Sequence, residues 1–323
     1  MNKFRIIIFF LAINLDLGLA LDNAPEQMEL FEQAQADLKA GNIDEALTKF
    51  EDVLKIDPTF APAQVGLAHV YIRKGDMEKT QNYLKQAIDA DPENQEFRAE
   101  FTNLNELNNL MSQGGRSMKN GEFEKAYDTF KIASNKFPYF SEAIFSMGLV
   151  KFREKDYLVS VDHFKHVLTI NPKHETARAA ITNVAKKFFN EGNSAYKRGN
   201  LEGALEGYNK VLEIDQGFYQ AHYQIGVINS KMGDKEAAII SYRMALSDNP
   251  EFYKGWFALG LAKSSINDSE GALEALENAV NINPGYDKAY VAMADIYLKN
   301  DNPEEAKRVL NLAIQVNSIY PKA

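Results

Sequence analysis

The sequence predicts an all-α fold of stacked helix–turn–helix units, and three periodic observations carry that expectation. Units of 34 residues begin at Gln27, Ala61, Leu107, Ser141, Ala185, Tyr219, Tyr253 and Asp287. Their eighth residues are Ala34, Ala68, Gly114, Gly148, Gly192, Gly226, Gly260 and Ala294, and their twentieth are small as well, from Ala46 and Thr80 to Ala272 and Ala306. One helical turn later the residue is always large: Phe50, Leu84, Phe130, Phe164, Tyr208, Tyr242, Leu276 and Leu310. Two antiparallel helices touch where side chains are small, and the large residue fills the space beside the contact. Proline then stops the second helix in six units, at Pro58, Pro92, Pro138, Pro172, Pro250 and Pro284, with Gln216 and Ser318 in the other two.

The segment Tyr253 to Pro284 shows the pattern most fully, with Trp256, Leu259, Gly260, Ala272, Ala279 and Pro284 in place. It resembles the tetratricopeptide repeat, departing at Lys263 and Leu276, where an aromatic and Phe are usual. The resemblance implies a right-handed superhelical solenoid of about eight such units over residues 27–320, and a protein that binds partners without performing chemistry.

The elements follow in order. Residues 1–20 have the layout of a secretory signal: Lys3 and Arg5, an apolar run from Ile6 to Leu15, and Gly18-Leu19-Ala20 as a cleavage site. The run is shorter than the roughly 20 residues a membrane span needs, so no span is expected after cleavage. A buried N-terminal helix is the alternative reading. The expected location is a bacterial periplasm or the exterior. Residues 21–26 read as a short lead-in. Gly41 and Gly75 turn the first two units, and Asn42 and Asp76 stand as N-caps of the second helices. Asn42 with Glu45, and Asn302 with Glu305, have capping-box spacing.

The period slips twice, from Pro92 to Pro138 and from Pro172 to Gln216. The surplus residues, 95–106 and 175–184, lack Gly and Pro, and Phe97, Phe101 and Leu104 keep helical spacing. Each surplus therefore lengthens the first helix of its unit, by about 15–18 Å. Such an overhang either packs on the preceding unit or projects as a docking ridge. One continuous domain is expected in spite of the slips. Residues 321–323 form a tail, which leaves Leu312, Ile314, Val316, Ile319 and Tyr320 as an apolar end open to self-association through the last helix.

A net charge of −9 argues against broad nucleic-acid binding, which needs a basic face. The absence of cysteine removes disulfides and thiolate metal sites. His163 and His166 can share a helix face but want further ligands, so they read as a solvated pair and no metal is expected. Gly114-Gly115 lacks the Lys-Ser/Thr of a phosphate loop. No catalytic residues and no cofactor are expected, and the chain is not read as an enzyme.

In the tetratricopeptide family, positions 2, 5, 9, 12 and 13 of each first helix line the concave face. That resemblance selects Phe31, Phe145, Phe189, Tyr223 and Phe257 at position 5, Asn193 at position 9, and Phe152 and Tyr196 at position 12. Position 13 supplies a basic rail that includes Lys39, Arg73, Arg153, Lys197 and Lys231. Aromatics beside cations on an acidic protein suit a peptide or protein partner with apolar and acidic groups. The family's clamp for a chaperone C-terminus requires Lys at position 5, which never occurs here, so that partner is not expected. The expected function is an exported interaction scaffold. The other readings are an accessory to an envelope or glycan-processing enzyme, and a self-assembling structural protein.

Overall fold

A computed structural model describes residues 24–319, and among them every regular element is an α-helix. The eight pairs are α1 (Ala24–Ala40) and α2 (Ile43–Ile56), α3 (Ala61–Arg73) and α4 (Met77–Ala90), α5 (Gln95–Lys119) and α6 (Phe123–Lys136), and α7 (Ser141–Arg153) and α8 (Tyr157–Ile170), followed by α9 (Glu175–Lys197) and α10 (Leu201–Ile214), α11 (Tyr219–Met232) and α12 (Lys235–Asp248), α13 (Tyr253–Ser265) and α14 (Ser269–Ile282), and α15 (Asp287–Lys299) and α16 (Pro303–Ile319). The secretory-signal segment and the last residues, including Tyr320, lie outside the described residues. Of the expected lead-in, Ala24, Pro25 and Glu26 already belong to α1, because Pro at the start of a helix loses no hydrogen bond there.

The small-to-large pairing predicted from the period is what joins each pair. A Cβ at Gly226 would lie 2.5 Å from Tyr242 Cε1, and one at Gly192 would lie 2.8 Å from Tyr208 Cε1 and 3.2 Å from the Ala204 carbonyl oxygen. The chain between the two helices of every unit passes through a left-handed residue at position 15. Gly41, Gly75, Gly121, Gly199 and Gly233 hold it in five units, and Lys155, Asn267 and Asp301, at φ 66°, 63° and 54°, in the other three. Asp76, Asn200, Asp234 and Asp268 then accept a backbone N–H of the following turn as N-caps. Asn42 does not: its amide donates to Asp37 Oδ1 at 3.2 Å, which leaves its side chain turned away from the α2 amides.

The helices group into two compact units, where the periodicity suggested one domain. The first runs to Asp156 and takes in His166–His174; the second holds Tyr157–Lys165 and the chain from Glu175 onward. In the first unit, Phe50 and Val53 of α2 pack on Ala63, Leu67 and Val70 of α3. Leu84 and Ala87 of α4 meet Phe97, Leu104 and Leu107 of α5. The α5 extension is thus an internal packing element on the preceding repeat. In the second unit, Val161 packs with Val184, Ala185 and Phe188 of α9. Beyond Phe188 that side of α9 turns polar, with Glu191 and Ser194 exposed, whereas Met293 and Ile296 at the same places on α15 are buried.

Candidate functional site

The candidate surface consists of the same five positions on each first helix, and the two units use them differently. In the first unit much of it is taken up internally. Phe31 is half-buried, its ring 5.9 Å from Phe50 and 5.3 Å edge-on from Phe60. Arg73 donates from Nη1 to the Leu38 carbonyl at 2.6 Å, and its guanidinium lies 4.1 Å over the Tyr139 ring. Burial pushes the Arg73 pKa down, so the group is a structural tie before it is a ligand for anything else. Phe145 lies 5.0 Å from the His174 ring, and His174 Nε2 is 2.8 Å from Glu142 Oε1. Lys39 and Arg153 are exposed, as is Phe152.

The second unit keeps a more open face. Phe189 is half-buried between Tyr208 at 5.5 Å and Phe218 at 5.2 Å. Tyr223 stands 5.8 Å from Tyr242 and edge-on to Phe252 at 5.0 Å, and Phe257 meets Tyr286 at 5.1 Å. Position-5 rings are therefore packing residues with one side left to solvent. Their partners at position 34, Phe218, Phe252 and Tyr286, went unread in the sequence, although the same 34-residue period would have found them. Asn193 accepts the Tyr208 hydroxyl at 2.8 Å. The Lys231 ammonium lies 5.3 Å from the centre of the Tyr196 ring, and Lys197 and Lys231 are exposed.

Tyr196 of α9 lies within electrostatic reach of Tyr208, Tyr223 and Tyr242 on α10, α11 and α12. Burial first, and Tyr196 second, push Tyr208 up to about 12 and raise Tyr223. Burial, then Tyr223, raises Tyr242 as well, whose hydroxyl also bonds Ser230. Raised phenols stay neutral and serve as hydrogen-bonding groups rather than nucleophiles. Of the two adjacent histidines, His166 is exposed and His163 half-buried. Among the described residues no group of three or more His, Cys, Asp or Glu could hold a metal ion, and no helix is long and apolar enough to cross a membrane.

Family profiles described as tetratricopeptide repeat match residues 37–99, 267–317 and 219–252, and one described as TPR repeat matches 192–233. The chain carries tetratricopeptide repeats. Among curated proteins it is similar to the TPR repeat-containing protein MJ1428 of Methanocaldococcus jannaschii, 28% identical over 199 residues, which are 57% of this chain and 32% of that one. It is also similar to human DnaJ homolog subfamily C member 7, 23% identical over 256 residues, covering 66% of this chain and 51% of the relative. The chain thus spans about a third of the first relative and about half of the second. Among solved structures, a crystal structure of MamA aligns with a TM-score of 0.41 at 23% identity, over 55% of this chain and 98% of that one.

Proposed function

We propose that the protein is an exported, non-catalytic scaffold that holds a peptide or protein partner on the first-helix face of its repeats. The face from α9 to α15 is the main surface in this reading. The observation that carries it is that Lys197 and Lys231 are exposed beside the half-buried aromatics Phe189, Tyr196 and Tyr223. A partner with apolar and acidic groups answers both features. Export is supported by Lys3, Arg5 and the apolar run that follows. A mature N-terminus near Leu21, read by mass spectrometry on protein from its native host, is the expected outcome.

The binding reading is tested by affinity capture with the native partner. Phe189→Ala with Tyr223→Ala is expected to weaken binding about tenfold or more, with thermal unfolding measured alongside because both rings also pack. Lys197→Ala with Lys231→Ala is expected to lose affinity chiefly at low salt. Unchanged affinity in a folded aromatic pair removes this face as the binding site. Self-association is a second reading, favoured by the exposure of Ile314 on α16.

A further inference from the structure

On the first helices of the second unit, lysine recurs at two repeat positions. Lys186, Lys254 and Lys288 stand at position 2 of α9, α13 and α15, and Lys197, Lys231 and Lys299 at position 13 of α9, α11 and α15. All six are exposed, and among the described residues none has an ion-pair partner. Three lysines of the same unit that lie off this face are paired: Lys187 with Glu191 and Lys210 with Glu206, each at 2.6 Å, and Lys263 with Asp268 at 3.5 Å. Positions 2, 9 and 13 share one line along a helix, because steps of seven and four residues return nearly to the same angle. Between the lysine rows, Tyr223, Val227, Leu261 and Val291 supply an apolar floor, and Leu261 and Val291 are each 45% exposed. Asp295 is the acid set within the face, and Glu251 and Asp287 border its position-2 row. α11 packs beside α13 and α13 beside α15, and Lys231 of α11 lies over Tyr196 of α9, so equal positions form rows across all four helices. On a chain of net charge −9, two such rows select an anionic partner.

From this we infer that the partner presents an amphipathic α-helix crossing the four first helices, with its apolar side on the floor and an acidic row along each flank. The inference rests on the scaffold reading above and adds to it the partner's conformation and charge pattern. Two helices carry both rows, Lys186 with Lys197 on α9 and Lys288 with Lys299 on α15. At 1.5 Å per residue, that spacing sets the rows about 16 Å apart. A helix with its side chains is about 10–12 Å across, so carboxylates on its two flanks come within reach of both rows. An extended strand occupies only about 5 Å and satisfies one row at a time. Packed neighbouring helices lie about 8–10 Å apart, close to the roughly 11 Å of two helical turns. Carboxylates recurring about every seven residues on each flank therefore meet successive lysines. The floor contributes through water exclusion, and the two rows fix the register and speed encounter.

The test uses the full chain and a fluorescein-labelled synthetic helix of about three heptads, stapled on its outer side, with a Leu stripe and a Glu row on each flank. Comparison peptides carry Gln for Glu, Lys for Glu, or two central prolines that forbid the helix while keeping the other residues. Anisotropy is the readout. The doubly acidic helix is expected to bind, at least about tenfold more tightly than the proline peptide. Lys254→Gln with Lys288→Gln, and separately Lys197→Gln with Lys231→Gln, should each weaken it about fivefold at low salt and leave binding of the Gln peptide unchanged. All four lysines are exposed, so both variants are expected to keep their helicity by circular dichroism. The inference is overturned if the doubly acidic helix fails to bind at about 1 mM, if the proline or the Lys peptide binds equally well, or if only one lysine pair matters. Native-partner capture separates the two readings. If capture is lost in the Phe189 and Tyr223 variant but kept in both lysine pairs, the scaffold reading stands and the helix between two lysine rows fails.

Discussion

Lys155 occupies a place that five of the eight units give to glycine, with φ at 66°. An L side chain in that region costs about 1 kcal/mol or more, and Asn and Asp tolerate it better than Lys does. Lys155→Gly is therefore expected to stabilise the protein by roughly 0.5–1 kcal/mol in urea titrations, the gain being reduced by the freer unfolded chain. Asn267→Gly should gain less. Gly41 and Gly75 were legible as turns in the sequence, but the demand at Lys155 was not, because only the frame, and no residue type, marks it. Asp44 offers a pH-dependent case. Hydrogen bonds from Lys173 first and Lys74 second hold its carboxyl at about 2, below its ordinary 3.8. A depressed carboxyl pKa adds stability above its unfolded value and loses it as pH falls through the folded one. The side chain is 44% exposed, so the contribution is at most about 1 kcal/mol. Asp44→Asn should thus lower stability slightly at about pH 5, and the deficit should shrink as pH falls through about 2. A deficit that persists unchanged at the acid end would assign the effect to shape rather than charge.

At the scale of the element, the long helices show how a change in sequence length is absorbed. α5 has 25 residues and α9 has 23, against 13 or 14 in α3, α7, α11, α13 and α15. Their extra turns were legible from uninterrupted helical spacing. What those turns do was less so, since an overhang that packs and one that projects have the same period. Burial of Phe97 and Leu104 against α4 decides it for α5: the extension carries the stacking contact. The rest of α5 is then free to be polar on that side, and Asn109, Gln113 and Arg116 are exposed there. The same exchange occurs on α9 at Glu191 and Ser194. Positions 3, 7 and 10 of each first helix held this information, and comparing them between units would have marked both long helices. Leu104 is 2% exposed, so Leu104→Ala should cost about 2–4 kcal/mol in global unfolding. Gln113→Ala, on the open side of the same helix, should change stability by less than about 0.5 kcal/mol. Equal effects from the two would mean that α5 is packed on both sides.

At the scale of the whole molecule, a repeat protein is stable because each unit covers the face of the one before it. The sequence made this legible as a period, while how each copy uses its surface depends on neighbours that a period does not describe. Arg73 and Lys231 occupy the same repeat position, yet one is tied to Leu38 and Tyr139 and the other stays exposed. The last unit shows the consequence most directly. Leu276 and Val280 of α14 are covered, at 0% and 9% exposure, as are Tyr242 and Leu246 of α12. Their equivalents on α16, Leu310 and Ile314, are 37% and 67% exposed. Leu312 and Val316, also expected at this end, are half-buried, and the Ile319 side chain and Tyr320 lie outside the described residues. An exposed face shaped to receive another helix favours association once a second apolar surface is within reach. Light scattering is expected to show a mass that rises with concentration, and Leu310→Ser with Ile314→Ser should return the protein to monomer with its helicity intact. Ile314 is largely open and its loss should cost the fold little, whereas Leu310 is 37% exposed, so thermal unfolding of the variant is measured beside its mass. A wild-type protein that stays monomeric at about 100 µM would show that this face, though apolar, does not associate with itself.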